Sequence, residues 1–239
     1  MPDHQILTSE DHRDLRVRTE PHAEFGDADM AAFIVPTEFR RVQSEYPIVF
    51  RLNQEDGKFS ALALFGFEKG ENLYLEQGKW LARYRPLSLA VQPFLIGPPV
   101  EEGSEGQVHI DMDHPRISDN GEGIRVFDED GGTSPYLEQI AGMLGELHTG
   151  FKDSHGFFEA LVRHELLEPF TLEVPLSDGS KQSLVGFHII AEDKLQQLDG
   201  DALGDLHEAG YLLPIFMAVA SISHFSTLVE RKDAKLTNG

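Results

Sequence analysis

The residues with the most chemical reach lie in one short segment: His109, Asp111, Asp113 and His114 of HIDMDH. A His-x-Asp pair on a strand, completed by a distant histidine, is the donor set with which non-haem iron oxygenases hold their metal. His188, in GFHII, is the candidate for that distant ligand. Such pairs also arise by chance in a chain with 11 His and 41 acids, and the competing reading is a solvated strand face. A second acidic cluster, Asp128–Glu129–Asp130–Gly131–Gly132, precedes a helix. Counted from Asp128, an EF-hand would need glycine where Thr133 stands and glutamate where Gln139 stands, so calcium gives way to capping of the helix N-terminus. Third, Trp80, Arg83, Tyr84 and Arg85 form a locally cationic, aromatic stretch suited to a carboxylate, and Arg116 adds another guanidinium. The same aromatics could instead be core anchors whose basic neighbours pair with surface acids. The candidate ligand-binding set is therefore Trp80, Arg83, Tyr84, Arg85, Asp111, Asp113 and Arg116, and the candidate metal set His109, Asp111 and His188, with Asp128 and Asp130 as further possibilities.

Other constellations dissolve on spacing. His164–Glu165 lacks the second histidine of a zinc helix, because residue 168 is Glu168. There is no Gly-x-Gly-x-x-Gly, no Walker loop and no Gly-x-Ser-x-Gly elbow. With no cysteine, thiolate metal sites, disulfides and a Cys nucleophile are excluded. No cofactor is indicated. A formal charge of −21 makes nucleic acid a poor partner and leaves a small molecule, a peptide or a protein.

These residues need elements to carry them. Between Pro47 and Leu95, short apolar runs broken by turn residues, with Asp56–Gly57 among them, predict a meander of strands buried on both faces for part of its length. The Pro98–Gly106 stretch reads as an exposed loop. Gln107–Met112 then reads as a short strand with Val108, Ile110 and Met112 on one face. Ser134 as cap and Pro135 at the first position predict a helix to about Phe151. A second helix is expected over Ser154–His164, with Phe157, Phe158, Leu161 and Val162 inward. Ser177–Asp178–Gly179–Ser180 joins two strands of a hairpin, which must rejoin the N-terminal sheet because an isolated hairpin is marginal. Helices are expected over Glu192–Leu198, Asp201–Glu208 and Tyr211–Lys232. The apolar run Ala209–Ile222 is too short for a bilayer span and reads as a buried helix. The fold class is α+β: one domain over 1–239, strand-rich through 30–127, helix-rich through 134–232, with the hairpin near 170–190. An N-terminus without an apolar signal core sets the expected location as cytoplasmic.

The phrases EFRRVQSEYPIVFR, WLARYRPLSLAVQPFLIG, HIDMDHPRIS, VFDEDGGTSPYLEQI and GYLLPIFMAVASISHF, in this order, resemble the bacterial SapC family over roughly residues 5 to 232. The family's shared segments correspond to Ile110–Arg116 and Phe127–Gly132, and its pattern does not require a histidine at His109, which counts against that residue as a metal ligand. The missing reactive motifs make a non-catalytic binding or accessory protein the leading expectation, and the resemblance implies an accessory role in uptake or modification of a small molecule or peptide. It supplies no catalytic residue to carry over. A metal-dependent enzyme built on His109, Asp111 and Asp113 is the alternative expectation. A surface-layer protein, suggested by the family's label, is the third.

Overall fold

Three consecutive residues, Ile48, Val49 and Phe50, are fully buried, so the strand that holds them (β4, Ile48–Leu52) is covered on both faces. The computed structural model describes residues 3–97 and 106–238. The expected loop at Pro98–Gly106 falls almost wholly outside them. β4 pairs antiparallel with β5 (Phe59–Leu64) through Leu52↔Phe59 and Ile48↔Ala63, across a turn in which Gly57 takes φ +69°. β3 (Ala31–Ile34) adds to the far edge of β5. On the other side β13 (Lys181–Ile190) pairs with β4 at His188↔Phe50 and carries β12 (Leu167–Pro175) as the outer strand. The five-stranded order is thus β12-β13-β4-β5-β3, and the late hairpin rejoins the N-terminal sheet as its sequence position required.

Smaller sheets complete the N-terminal half. β1 (His4–Ile6) and β8 (Phe94–Ile96) flank β9 (Val108–Asp111). β10 (Ile117–Ser118) and β11 (Ile124–Arg125) flank β2 (Arg16–Val17). A two-residue pair, β6 (Leu75–Glu76) with β7 (Lys79–Trp80), precedes Arg85. Two short helices, α1 (Phe39–Val42) and α2 (Leu87–Ala90), are set among these strands.

Both layers meet on α3, a single helix over Pro135–Arg163 rather than the two helices expected. Ser134 caps it by accepting from Leu137 N at 3.3 Å, with Pro135 at the first turn. The expected break at 152–153 does not occur, and the helix runs on through Lys152 and Asp153. Gly150 serves close packing, since a Cβ there would lie 2.5 Å from Cγ2 of Val35. At 29 residues, α3 is about 43 Å long. Its first half, through Leu137, Ile140 and Leu144, packs in one apolar cluster with Val17, Phe94 and Ile110. Its second half, through Phe157 and Leu161, packs in the cluster of the five-stranded sheet, where Phe157 meets Phe39 edge-on at 5.9 Å. Val162, expected inward, is 54% exposed.

The C-terminal pieces are α4 (Glu192–Gln196), α5 (Gly200–Glu208), α6 (Leu212–Ser221) and α7 (His224–Asn238). The expected helix from Tyr211 onward is interrupted after Ser221, whose hydroxyl accepts from Ile48 N at 2.9 Å and donates to Ala218 O. The apolar helix is buried on one face only: Ile215 and Ala218 are covered, while Leu213 and Phe216 are more than half exposed. Taken through the interruption, Leu212–Thr237 is long and apolar enough by length and composition to cross a membrane. Ile215, Ala218, Ser221, Phe225 and Leu228 along it are buried in the fold.

Two expected outcomes follow from this packing. Gly150→Ala should destabilise the fold by about 1–3 kcal/mol through overpacking against Val35. Gly145→Ala, on the same helix with open space at its Cβ position, should stabilise it by about 0.5–1 kcal/mol; chemical denaturation reads both. Separately, His188 packs edge-on to Phe59 at 5.0 Å with a buried Nδ1 that has no partner, and burial lowers its pKa. The unfolded chain then takes up this proton near pH 6.5 and the folded chain only at lower pH, so stability falls as pH drops through that window. His188→Leu should flatten this part of the stability–pH curve, measured as urea midpoints between pH 7.5 and 5.

Candidate anion-binding pocket

Asp27 is wholly buried, and an isolated buried carboxylate is costly, so its surroundings must repay its desolvation. Two guanidiniums do so. Arg85, which leaves the β6–β7 pair and enters the loop before α2, donates Nη2 to one carboxylate oxygen. Arg116, 1% exposed, donates Nη2 to the other at 2.5 Å. His22 N adds a hydrogen bond at 2.9 Å, and Asn72 Nδ2 holds the Asp27 carbonyl at 2.7 Å. Arg116 Nη1 donates to the carbonyls of Arg18 and Glu20, so one side chain ties the N-terminal segment to the turn after β9. That turn aims Arg116 inward: His114 N bonds Asp111 O, Arg116 N bonds His114 Nδ1, and β10 pairs with β2 directly afterwards. Aromatic faces support both cations, Phe25 at 5.5 Å from Arg116 and Trp80 at 5.6 Å from Arg85.

The two arginines also line a cavity of about 180 Å3, together with Tyr136, Gln92, Gln139 and Thr19 and the apolar side chains of Ala90, Ile140 and Met143. Three buried polar atoms on its wall residues have no partner among the described residues: Arg85 Nε, Arg116 Nε and Gln92 Oε1. Buried polar groups are ordinarily paired, so two orphaned donors and an orphaned acceptor on the residues around a cavity point to a group that is not protein. Two cations against one carboxylate leave a net positive charge at this place. Burial lowers the pKa of Arg85, Asp27 draws it back up, and Arg116 pushes it down again. Tyr136, in the first turn of α3, is pushed up to about 12 by burial against the opposing pull of Arg116 and Arg85, so its hydroxyl stays protonated and can donate.

Glu38 is the other fully buried acid among the described residues and is saturated by the protein. It accepts from Val35 N at 3.0 Å, Leu87 N at 2.9 Å and Tyr84 Oη at 2.7 Å. Burial raises its pKa and these hydrogen bonds pull it back. Tyr84 is therefore a structural post rather than a ligand contact. Trp80 is likewise held within the protein, donating Nε1 to Tyr46 Oη at 2.8 Å, and reaches the pocket only as the surface behind Arg85. Arg83 is exposed, and Asp111 accepts from Asp113 N within its own turn.

The proposed metal set does not assemble. His109 lies on β9 in one sheet, packed over Gly97, where a Cβ would come within 2.1 Å of its Nε2; His188 lies on β13 in another sheet. Among the described residues no group of three His, Asp or Glu is placed to share an ion. The Asp128–Gly132 segment closes on itself, with Gly132 N donating to Asp130 Oδ1 and Asp128 N to Gly132 O, which is turn and capping chemistry. Of the sequence candidates, only Arg85 and Arg116 converge. Asp27, Gln92, Tyr136 and Gln139 went unnoticed in the sequence. The one available signal was Tyr136, an aromatic donor in the first turn of a capped helix.

Comparison with known proteins agrees with the resemblance carried by these segments. No curated protein and no solved structure matches the chain. A family model described as SapC matches residues 7–228, which include every residue of the pocket, and the chain therefore belongs to the SapC family.

Proposed function

We propose that this SapC-family chain is a binding or accessory protein whose pocket takes a small monoanion, best a short carboxylate, between Arg85, Arg116 and Tyr136. The observation that carries this reading is the pair of buried, partnerless Nε donors on two guanidiniums that share one carboxylate. A carboxylate accepts planar donors from guanidinium groups and would cancel the surplus charge left by Asp27. A phosphate dianion would leave a net negative charge in a poorly hydrated place, where charge is expensive. Ile140, Met143 and Ala90 supply apolar surface for a short tail, and about 180 Å3 limits the ligand to a few carbons. The overall charge of −21 supports a small ligand over an extended polyanion.

Titration calorimetry with butyrate and with inorganic phosphate tests this. Butyrate should bind one to one and phosphate much more weakly. Tyr136→Phe, which removes a hydroxyl that holds no hydrogen-bond partner among the described residues, should weaken butyrate about tenfold without lowering the melting temperature. Met143→Trp, which fills the cavity from its apolar side, should abolish binding. Absence of heat with both ions, or equal binding by wild type and both variants, would overturn the reading.

A further inference from the structure

The second half of α3 carries an apolar stripe that is only partly covered by the described residues. Phe151, Phe158 and Val162 recur at helical spacing with His155 between them. Phe158 reaches inward to Phe50 at 6.3 Å, whereas Phe151 is 44% and Val162 54% exposed. Facing this stripe is the turn between β4 and β5, where Phe59 is braced edge-on by His188. Between them lies a cleft of about 500 Å3, within the range of small-molecule sites. Its walls are three phenylalanines and a valine, and its charged rim is unlike the rest of the molecule. Lys58 stands on the turn, Arg163 on the last residue of α3, and Glu159 is the one acid on the lining. Neither Lys58 nor Arg163 forms an ion pair among the described residues, although acids outnumber bases two to one across the chain. None of these residues lines the Arg85–Arg116 pocket.

We infer that this cleft is a second binding site, for an amphipathic anion: an acyl or aromatic body laid against Phe59, Phe151, Phe158 and Val162, with a single carboxylate at Lys58 and Arg163. The apolar walls supply affinity by removing exposed carbon from water. The two cations select the charge of the head, and the acidity of the remaining surface discourages the same molecule from binding elsewhere. The inference does not depend on the monoanion pocket.

Fluorescence-detected and calorimetric titration with decanoate, decanol and decyltrimethylammonium, each below its micellar concentration, tests it. Decanoate should bind one to one, decanol about tenfold more weakly, and the cationic analogue not measurably. Val162→Glu, at an exposed position, should remove decanoate binding. The double substitution Lys58→Gln with Arg163→Gln should bring decanoate down to the level of decanol, and Tyr136→Phe should leave decanoate unchanged. Equal binding of all three probes, indifference to Val162→Glu, or loss of binding in Tyr136→Phe would overturn the site. So would sedimentation showing a wild-type dimer that Val162→Glu dissociates, since the cleft would then be a surface between copies of the chain.

Discussion

A carboxylate with no access to water must be neutralised within the fold, and the arrangement around Asp27 follows from that constraint. Two guanidiniums reach it from distant parts of the chain, Arg85 before α2 and Arg116 after β9. Arg116 also binds the carbonyls of Arg18 and Glu20, so the N-terminal segment, the middle of the chain and the turn after β9 are fixed to one point. Removing one partner of such a buried set typically costs about 3–5 kcal/mol, because the remaining charge is stranded. The same constraint generates the pocket. Asp27 can cancel only one of two cations; Arg116 spends its fork on Asp27 and the carbonyls of Arg18 and Glu20, Arg85 spends Nη2 on Asp27, and Nε of both is left without a partner among the described residues.

The long helix gives this cluster its setting. α3 belongs to both apolar clusters, with Ile140 in the smaller and Phe157 in the larger, and its first turn delivers Tyr136 to the cavity. A break near residue 152 would have allowed the two clusters to move apart. Gly150, whose missing side chain leaves room for Val35, lets the continuous helix pack closely at this point. The C-terminal helices then cover the five-stranded sheet by one face, leaving apolar surface on the other.

Much of the fold could be read in the amino-acid text because it rests on local signals: short continuous apolar runs broken by turn residues for β4 and β5, the Ser134–Pro135 start of α3, and a Ser-Asp-Gly-Ser connection for the late hairpin. The binding site was legible only in part. Arg85 and Arg116 advertise themselves as cations among aromatics, but Asp27 sits in an unremarkable GDADM segment, and only tertiary structure shows that it meets both. The His109–Asp111 pairing misled for the opposite reason: its spacing imitates a metal motif, while His188, the residue that would complete it, belongs to a different sheet. Membership of the SapC family gives these positions a common frame without assigning them a reaction.

Two buried arginine Nε–H groups without a partner among the described residues lie on the side chains that line the cavity, beside a shared carboxylate. The most direct measurement is the arginine Nε–H region of a proton–nitrogen correlation spectrum of the labelled protein, recorded with and without butyrate. The account predicts two protected Nε–H signals, each lost on substitution of Arg85 or Arg116, that move together as butyrate is added. Two such signals that stay fixed at saturating butyrate, or that exchange with solvent as fast as those of exposed arginines, would contradict it.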